Sequence, residues 1–223
     1  MDTFDTVLFY WPELVVSLKE TAIMMSISLV FCLVIGLPLG VSLYLVNPSQ
    51  KHNHPFLYYS LNFIITLIRS FPYLLLVVTL IPVTRVLVGR AFGPIPAAVP
   101  LSIVAIAIFA RLVEQVLLDL PEATHQLADS LGVTQWQLIW HFLLVEARSG
   151  LVLAFTTTTV SLVSYSTVMG IVGGGGIGDF AIRYGYQRYE YGIMYVAIVF
   201  MIVCVFGIQL GGNALARKID KRK

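Results

Sequence analysis

DLPEATHQLADSLGVTQWQLIWHFLLVEARSG, residues 119–150, is polar and helix-forming, and it lies between two runs apolar enough to cross a bilayer. Pro121 suits a first helical turn, Glu122 complements the positive end of the helix dipole, and Gly132 closes a helix through the left-handed region. A short helix over residues 121–131 is therefore predicted. Thr134 followed three residues later by Gln137 has capping-box spacing and starts a second helix toward Leu144. The outcome is helix, turn, helix. Leu127, Leu131, Leu138 and Phe142 fall on related faces as an apolar ridge. The ridge suits a groove on a partner or packing against the chain's own spans, and a loop helix resting on the membrane surface is the plainer reading.

Working outward, the 223 residues are 58% hydrophobic and 12% charged, against roughly half and a quarter for a soluble domain. The chain is an all-α integral membrane protein by composition. A bilayer core of about 30 Å needs about 20 apolar helical residues. Five segments qualify, at 21–46, 56–82, 97–118, 151–172 and 191–210, within one transmembrane domain over 1–223. The stretch ahead of the first carries acidic Asp2, Asp5 and Glu13 and no basic n-region, so the first apolar run is expected to be retained. Arg217, Lys218, Lys221, Arg222 and Lys223 follow the last span and place the C-terminus in the cytoplasm. Five crossings then put the N-terminus outside and residues 119–150 inside. Arg85, Arg90, Arg183 and Arg188 land outside under this assignment, against the usual bias.

Charges within the spans are the next candidates for function. Arg69 lies midway along the second span, where a basic residue costs roughly 2.5–3.5 kcal/mol, so it should face water or a partner, or satisfy a carbonyl freed by Pro72. Arg111 and Glu114 are three apart on one helix face: they pair locally, or they form a cytoplasmic-side gate or a contact across a dimer. Hydroxyls crowd the fourth span at Thr156 to Thr159, Ser161, Ser164, Tyr165 and Ser166; such groups bond back to their own helix or line a pathway. Gly36 and Gly40 flank Pro38 as a small-residue packing face, and Cys32 and Cys204 read as small apolar residues within spans.

Several chemistries are disfavoured. Gly173, Gly175 and Gly178 satisfy G-x-G-x-x-G, but they follow a membrane span instead of a strand, so an outer loop of close backbone approach is the better reading than a dinucleotide turn. No phosphate-cradling G-x-x-x-x-G-K-[ST] loop occurs, which assigns any ATP-driven work to another chain. His52 and His54 sit in a loop without the company of other metal ligands, and no histidine falls within a span to serve as a catalytic base. Neither a metal nor a catalytic residue is expected, and nucleic acid is not a partner. Five helices are few for enclosing a solute path, whereas a two-fold homodimer supplies both walls.

The 119–150 segment resembles the cytoplasmic loop of ABC importer permeases, in which Glu-Ala-Ala is followed at fixed spacing by Gly, Ile and Leu-Pro. Here the register gives Gln126, Leu127, Ala128, then Gly132, then Phe142, Leu144 and Val145, with Gln126, Leu127 and Val145 departing from the family's Glu, Ala and Pro. Across nearly the whole chain, the order of further motifs is similar to the methionine-uptake branch of that family. They are Gly36-Leu-Pro-Leu-Gly40, Arg69-Ser-Phe-Pro72, the run from Ile81 to Gly89, the run from Ala110 to Gln115, and the tract from Ser164 through Gly173–Gly178 to Tyr186.

The resemblance implies a type I ABC importer permease fold with a coupling helix, in a bacterial inner membrane. It implies a homodimer surrounded by membrane lipid and working with two ABC ATP-binding subunits, which hold ATP and Mg, and an extracytoplasmic methionine-binding lipoprotein. The cargo implied is L- and D-methionine. The residues implied in ATPase coupling are Glu122, Gln126, Leu127, Ala128, Leu131, Gly132, Leu138 and Phe142. Because methionine is zwitterionic with an apolar side chain, polar groups beside apolar surface at Ser164, Tyr165, Ser166 and Met169 are the expected intramembrane site. Closure of the ATPases on ATP would move the docked segments and favour an outward-facing dimer. A permease for another amino acid remains open, as does an ion-coupled carrier, although Glu114 is the one acidic residue within the spans.

Overall fold

A computed structural model describes residues 8–50 and 53–220, which leaves His52 and the basic Lys221, Arg222 and Lys223 outside the described residues. The described residues form helices and connecting turns. We number them α1 (Trp11–Val46), α2 (Pro55–Ser70), α3 (Tyr73–Val88), α4 (Pro94–Leu118), α5 (Glu122–Ser130), α6 (Gln135–Ile171), α7 (Gly176–Phe180) and α8 (Tyr191–Ile219). α1, α4, α6 and α8 are long and apolar enough to cross a membrane, and α2 with α3 makes a fifth crossing if the bent pair is one span. Where the chain enters and leaves that pair requires this. α1 ends beside α5, where Tyr44 meets His125, whereas α4 begins at Gly93, whose N–H donates to the Gly173 carbonyl beyond the far end of α6.

Besides α8, which continues to Ile219 where the expected span ended at residue 210, four boundaries differ from the sequence expectation. The first span begins at Trp11 instead of residue 21, because Pro12 suits a helix start and Lys19 and Glu20 continue the helix. At 36 residues α1 is about 54 Å long at 1.5 Å per residue, more than the bilayer core requires. It carries a wide π turn at Cys32–Gly36. The second span is two helices at 109° to one another. Phe71 (φ −71°, ψ 129°) and Pro72 (φ −57°, ψ 122°) are both extended, as expected for a residue preceding proline and for a proline that donates no hydrogen bond. α3 continues past Pro82 and stops at Gly89, whose φ of 79° ends the helix.

The third difference joins two predicted elements. The helix that starts after Thr134 does not stop near Leu144 but runs on as the fourth span, through wide turns at Leu138–Leu143, to Ile171. Nothing between Leu144 and Ile171 lacks an N–H or requires a left-handed turn, so the helix has no reason to end there. The fourth is the loop after the fourth span: the glycine tract leads into α7, which continues through a π turn at Ala181–Tyr186.

α4 is the centre of the bundle. Its buried residues include Ala97, Ala98, Leu101, Ala105, Ala107, Phe109, Ala110 and Val113, so it buries more than a single stripe. The alanines let α1, α2 and α6 approach closely, as small residues do in membrane helix packing. Leu101, Phe109 and Val113 join Met24, Tyr44, Leu143, Leu162 and Met169 in one core. Large apolar side chains at Val30, Phe63, Val199, Val203 and Phe206 point outward. Such positions suit contact with lipid, because away from its ends a helix satisfies its own backbone polar groups.

Candidate functional site

The two ends of the bundle differ in chemistry. At one end α5, closed by Gly132 at φ 63°, projects between α4 and α6. The Thr134 cap forms as its spacing predicts: the Gln137 N–H donates to Thr134 Oγ1 at 3.4 Å, and the Thr134 N–H donates to Gln137 Oε1 at 2.9 Å. The ridge expected along this segment divides. Leu127 and Leu131 are 55% and 64% exposed, whereas Leu138 packs against the core and Phe142 is half-buried. Ala128 is buried, and Glu122, Gln126 and Gly132 are exposed. The exposed apolar surface is completed by Trp136 and Trp140, whose rings lie 5.5 Å apart one turn along α6. The sequence reading missed these two, although their spacing of four directly after the cap was visible.

α5 is tied down from behind. Tyr44 Oη and His125 Nε2 share a hydrogen bond of 2.6 Å, with the rings stacked at 6.1 Å. Behind α5 a cleft of about 990 Å³ opens between the 47–50 turn, the end of α4 and the start of α6, with Gln50, His54, Glu122 and Gln126 on its walls.

Arg111 and Glu114 form an ion pair at 2.6 Å, with Glu114 only 1% exposed. The pair is also held from two other helices. Asn47, at the end of α1, donates from Nδ2 to Glu114 Oε1 at 3.1 Å, and Arg111 donates to Asn62 Oδ1 on α2. Neither asparagine carries a local signal in the sequence, since the partners are 67 and 49 residues away. Arg69 stands in the last turn of α2, exposed, and among the described residues no hydrogen bond or ion pair holds it; its expected bond to a carbonyl at the Pro72 break is not formed.

The four residues expected to gather into an intramembrane site do not all converge. Ser166 is buried and donates to the Val163 carbonyl at 2.7 Å, and Met169 is buried in the core. Tyr165 packs on Tyr73 of α3 with ring centroids 4.6 Å apart. Ser164 faces elsewhere, into an apolar groove of about 670 Å³ between α6 and α8 that Thr167, Met194 and Ile198 also line. A helix turns successive residues to different faces, so Tyr165 and Met169, four apart, meet the same core while Ser164 is turned toward the groove. Thr156, Thr158, Thr159 and Ser161 each donate to the carbonyl four residues back.

At the other end the glycine tract folds onto α1. The Gly176 N–H donates to Glu20 Oε2 at 2.8 Å and the Ile177 N–H to Thr21 Oγ1 at 2.9 Å, satisfying two N–H groups at the start of α7. Gly170 and Gly178 allow α6 and α7 to touch backbone to backbone: a Cβ on Gly170 would run into Gly178 and Asp179. The arginines that strained the charge bias here are engaged. Arg183 pairs with Asp179 at 2.7 Å, and Arg188 bonds Tyr10 Oη at 2.9 Å while lying 5.0 Å from the Tyr184 ring centroid. No strand precedes these glycines among the described residues, so the dinucleotide reading has no structural support.

Comparison with known proteins places this arrangement. The family described as the binding-protein-dependent transport system inner membrane component matches residues 36–223. A probable D-methionine transport system permease protein MetI of Vibrio cholerae is 42% identical over 203 residues, covering 91% of this chain and 90% of that one. The D-methionine transport system permease protein MetI of Escherichia coli is 41% identical over 151 residues, 68% of this chain and 70% of that one. Among solved structures, an inward-facing conformation of the MetNI methionine ABC transporter superposes with a TM-score of 0.90 at 38% identity, over 93% of this chain and 96% of that one. An amino acid ABC transporter solved with histidines shares the fold, with a TM-score of 0.72 at 18% identity over 100% and 99% of the two chains.

Proposed function

The chain belongs to the binding-protein-dependent transport system inner membrane components, and from that premise we propose that it is the membrane-spanning permease subunit of an ATP-driven methionine importer. Its part is translocation. ATP and Mg²⁺ are held by a separate ATP-binding subunit, and methionine in its D- or L-form is delivered by an extracytoplasmic binding protein. Two copies of the chain enclose the path between them.

The observation that carries this reading is the exposed apolar surface that Leu127 and Leu131 at α5 form with Trp136 and Trp140 at the Thr134-capped start of α6, at one end of an otherwise lipid-compatible bundle. Exposed aromatics with a leucine ridge suit burial in a partner's groove. We place this end in the cytoplasm, where α5 and the start of α6 meet the ATP-binding subunit. The Gly173–Gly178 end and α7 face the binding protein. Arg217 and Lys218 in the last turn of α8 agree with this orientation.

The test is reconstitution of the chain with its ATP-binding subunit in proteoliposomes. Methionine accumulation that requires both ATP and the binding protein supports the reading. Accumulation driven by an ion gradient without the ATP-binding subunit would make the chain a carrier. Labelling of single cysteines at Asp129 and Gln187 from either side of the membrane tests the orientation. Uniform access from one side to both would refute it.

A further inference from the structure

The buried ion pair of α4 is one segment of a longer chain of polar contacts that begins at the coupling helix. His125 on α5 bonds Tyr44 near the end of α1. One turn further along α1, Asn47 directs its two amide atoms to opposite duties. Oδ1 accepts from the Ser49 N–H at 3.0 Å and the Ser49 hydroxyl at 2.8 Å, which fixes the turn leaving α1. Nδ2 donates to Glu114 at 3.1 Å, a contact that an acceptor-only side chain at position 47 cannot make. Glu114 holds Arg111, and Arg111 reaches Asn62 on α2.

We propose that Asn47 and Asn62 are positioning residues, the two joints of a linkage through which displacement of α5 is passed to α2 and so to the broken span. The inference rests on the permease reading above. Its physical basis is burial. Glu114 is almost wholly withdrawn from solvent, and a buried carboxylate separated from its partners is strongly penalised. α1, α2 and α4 are therefore constrained to move together at this level. Apolar contacts of Ile65 on α2 with Leu43 on α1 and Ala107 and Ala110 on α4 resist separation but allow sliding. The directional bonds of the asparagines fix the register. α2 ends at the 109° break, so a shift of its lower limb is leveraged into a change of angle against α3.

The experiment uses the complete transporter in proteoliposomes, with uptake and ATP hydrolysis measured on the same preparation. Asn62→Leu removes the acceptor and is expected to lower methionine taken up per ATP hydrolysed by about tenfold, within the range of ordinary coupling energies, while hydrolysis persists. Asn62→Asp retains an acceptor for Arg111 and is expected to restore the ratio. Because the contacts act as one unit, Asn47→Ala combined with Asn62→Leu should lose no more than the worse single variant. Additive losses, or an unchanged ratio in Asn62→Leu, would overturn the linkage. So would a parallel fall of uptake, hydrolysis and thermal stability that Asn62→Asp fails to rescue, which marks plain packing. Absence of ATP-dependent uptake in the unmodified complex would instead sink the permease reading itself.

Discussion

Tyr44 and His125 lie 81 residues apart, yet their Oη and Nε2 atoms are 2.6 Å apart, and this bond fastens the short helix α5 to the end of α1, a helix of 36 residues. Tyr44 is almost fully buried. Tyr44→Phe should therefore cost about 1–2 kcal/mol, because it leaves the imidazole without its partner. Thermal unfolding of the purified protein in detergent measures the loss, and an unchanged melting temperature would show the bond to be incidental.

Leu131 and Leu138 should respond differently to charge. Leu131→Glu alters an exposed position, so insertion and thermal stability are expected to stay near native while co-purification with the ATP-binding subunit is lost. Leu138→Glu puts a carboxylate against the core and should cost several kcal/mol. Pull-down yield and unfolding temperature, read on the same two variants, separate the roles. Normal assembly of Leu131→Glu would remove α5 from the proposed interface.

Two glycines carry different constraints. A Cβ at Gly132 meets open space, so Gly132→Ala pays only for its left-handed φ of 63°, about 1 kcal/mol. Gly170→Ala drives a methyl into the Gly178 and Asp179 backbone, and overpacking of this kind costs about 1–3 kcal/mol. Unfolding curves should rank Gly170→Ala as the more damaging variant; the reverse order would contradict the packing of α6 on α7.

Thr21→Val keeps the shape of the side chain but strips the acceptor from the Ile177 N–H. The expected cost is about 1 kcal/mol, as for a lost helix cap. Hydrogen exchange at the amides of Gly176 and Ile177 should accelerate, while amides in the middle of α4 are unaffected. Equal acceleration in both places would mean that the contact supports the whole bundle instead of the α7 turn.

Features that depend on neighbours along the chain are legible in the residues alone. Apolar runs too long for a soluble core specify membrane helices, Pro72 marks a disturbed backbone within the second span, and Gly132 with Thr134 and Gln137 specifies the turn before α6. These are local, because sterics and capping act over a few residues. Packing between distant helices decided which leucines of the 119–150 segment face outward, that the 135–144 helix and the fourth span are one rod, and that Ser164 leaves the face Tyr165 shares with Met169. It also decided that Glu114 is shared between Arg111 and Asn47. Periodicity identifies the face of a helix but not the neighbour that covers it, and that neighbour is set by how distant helices exclude each other in a close-packed bundle.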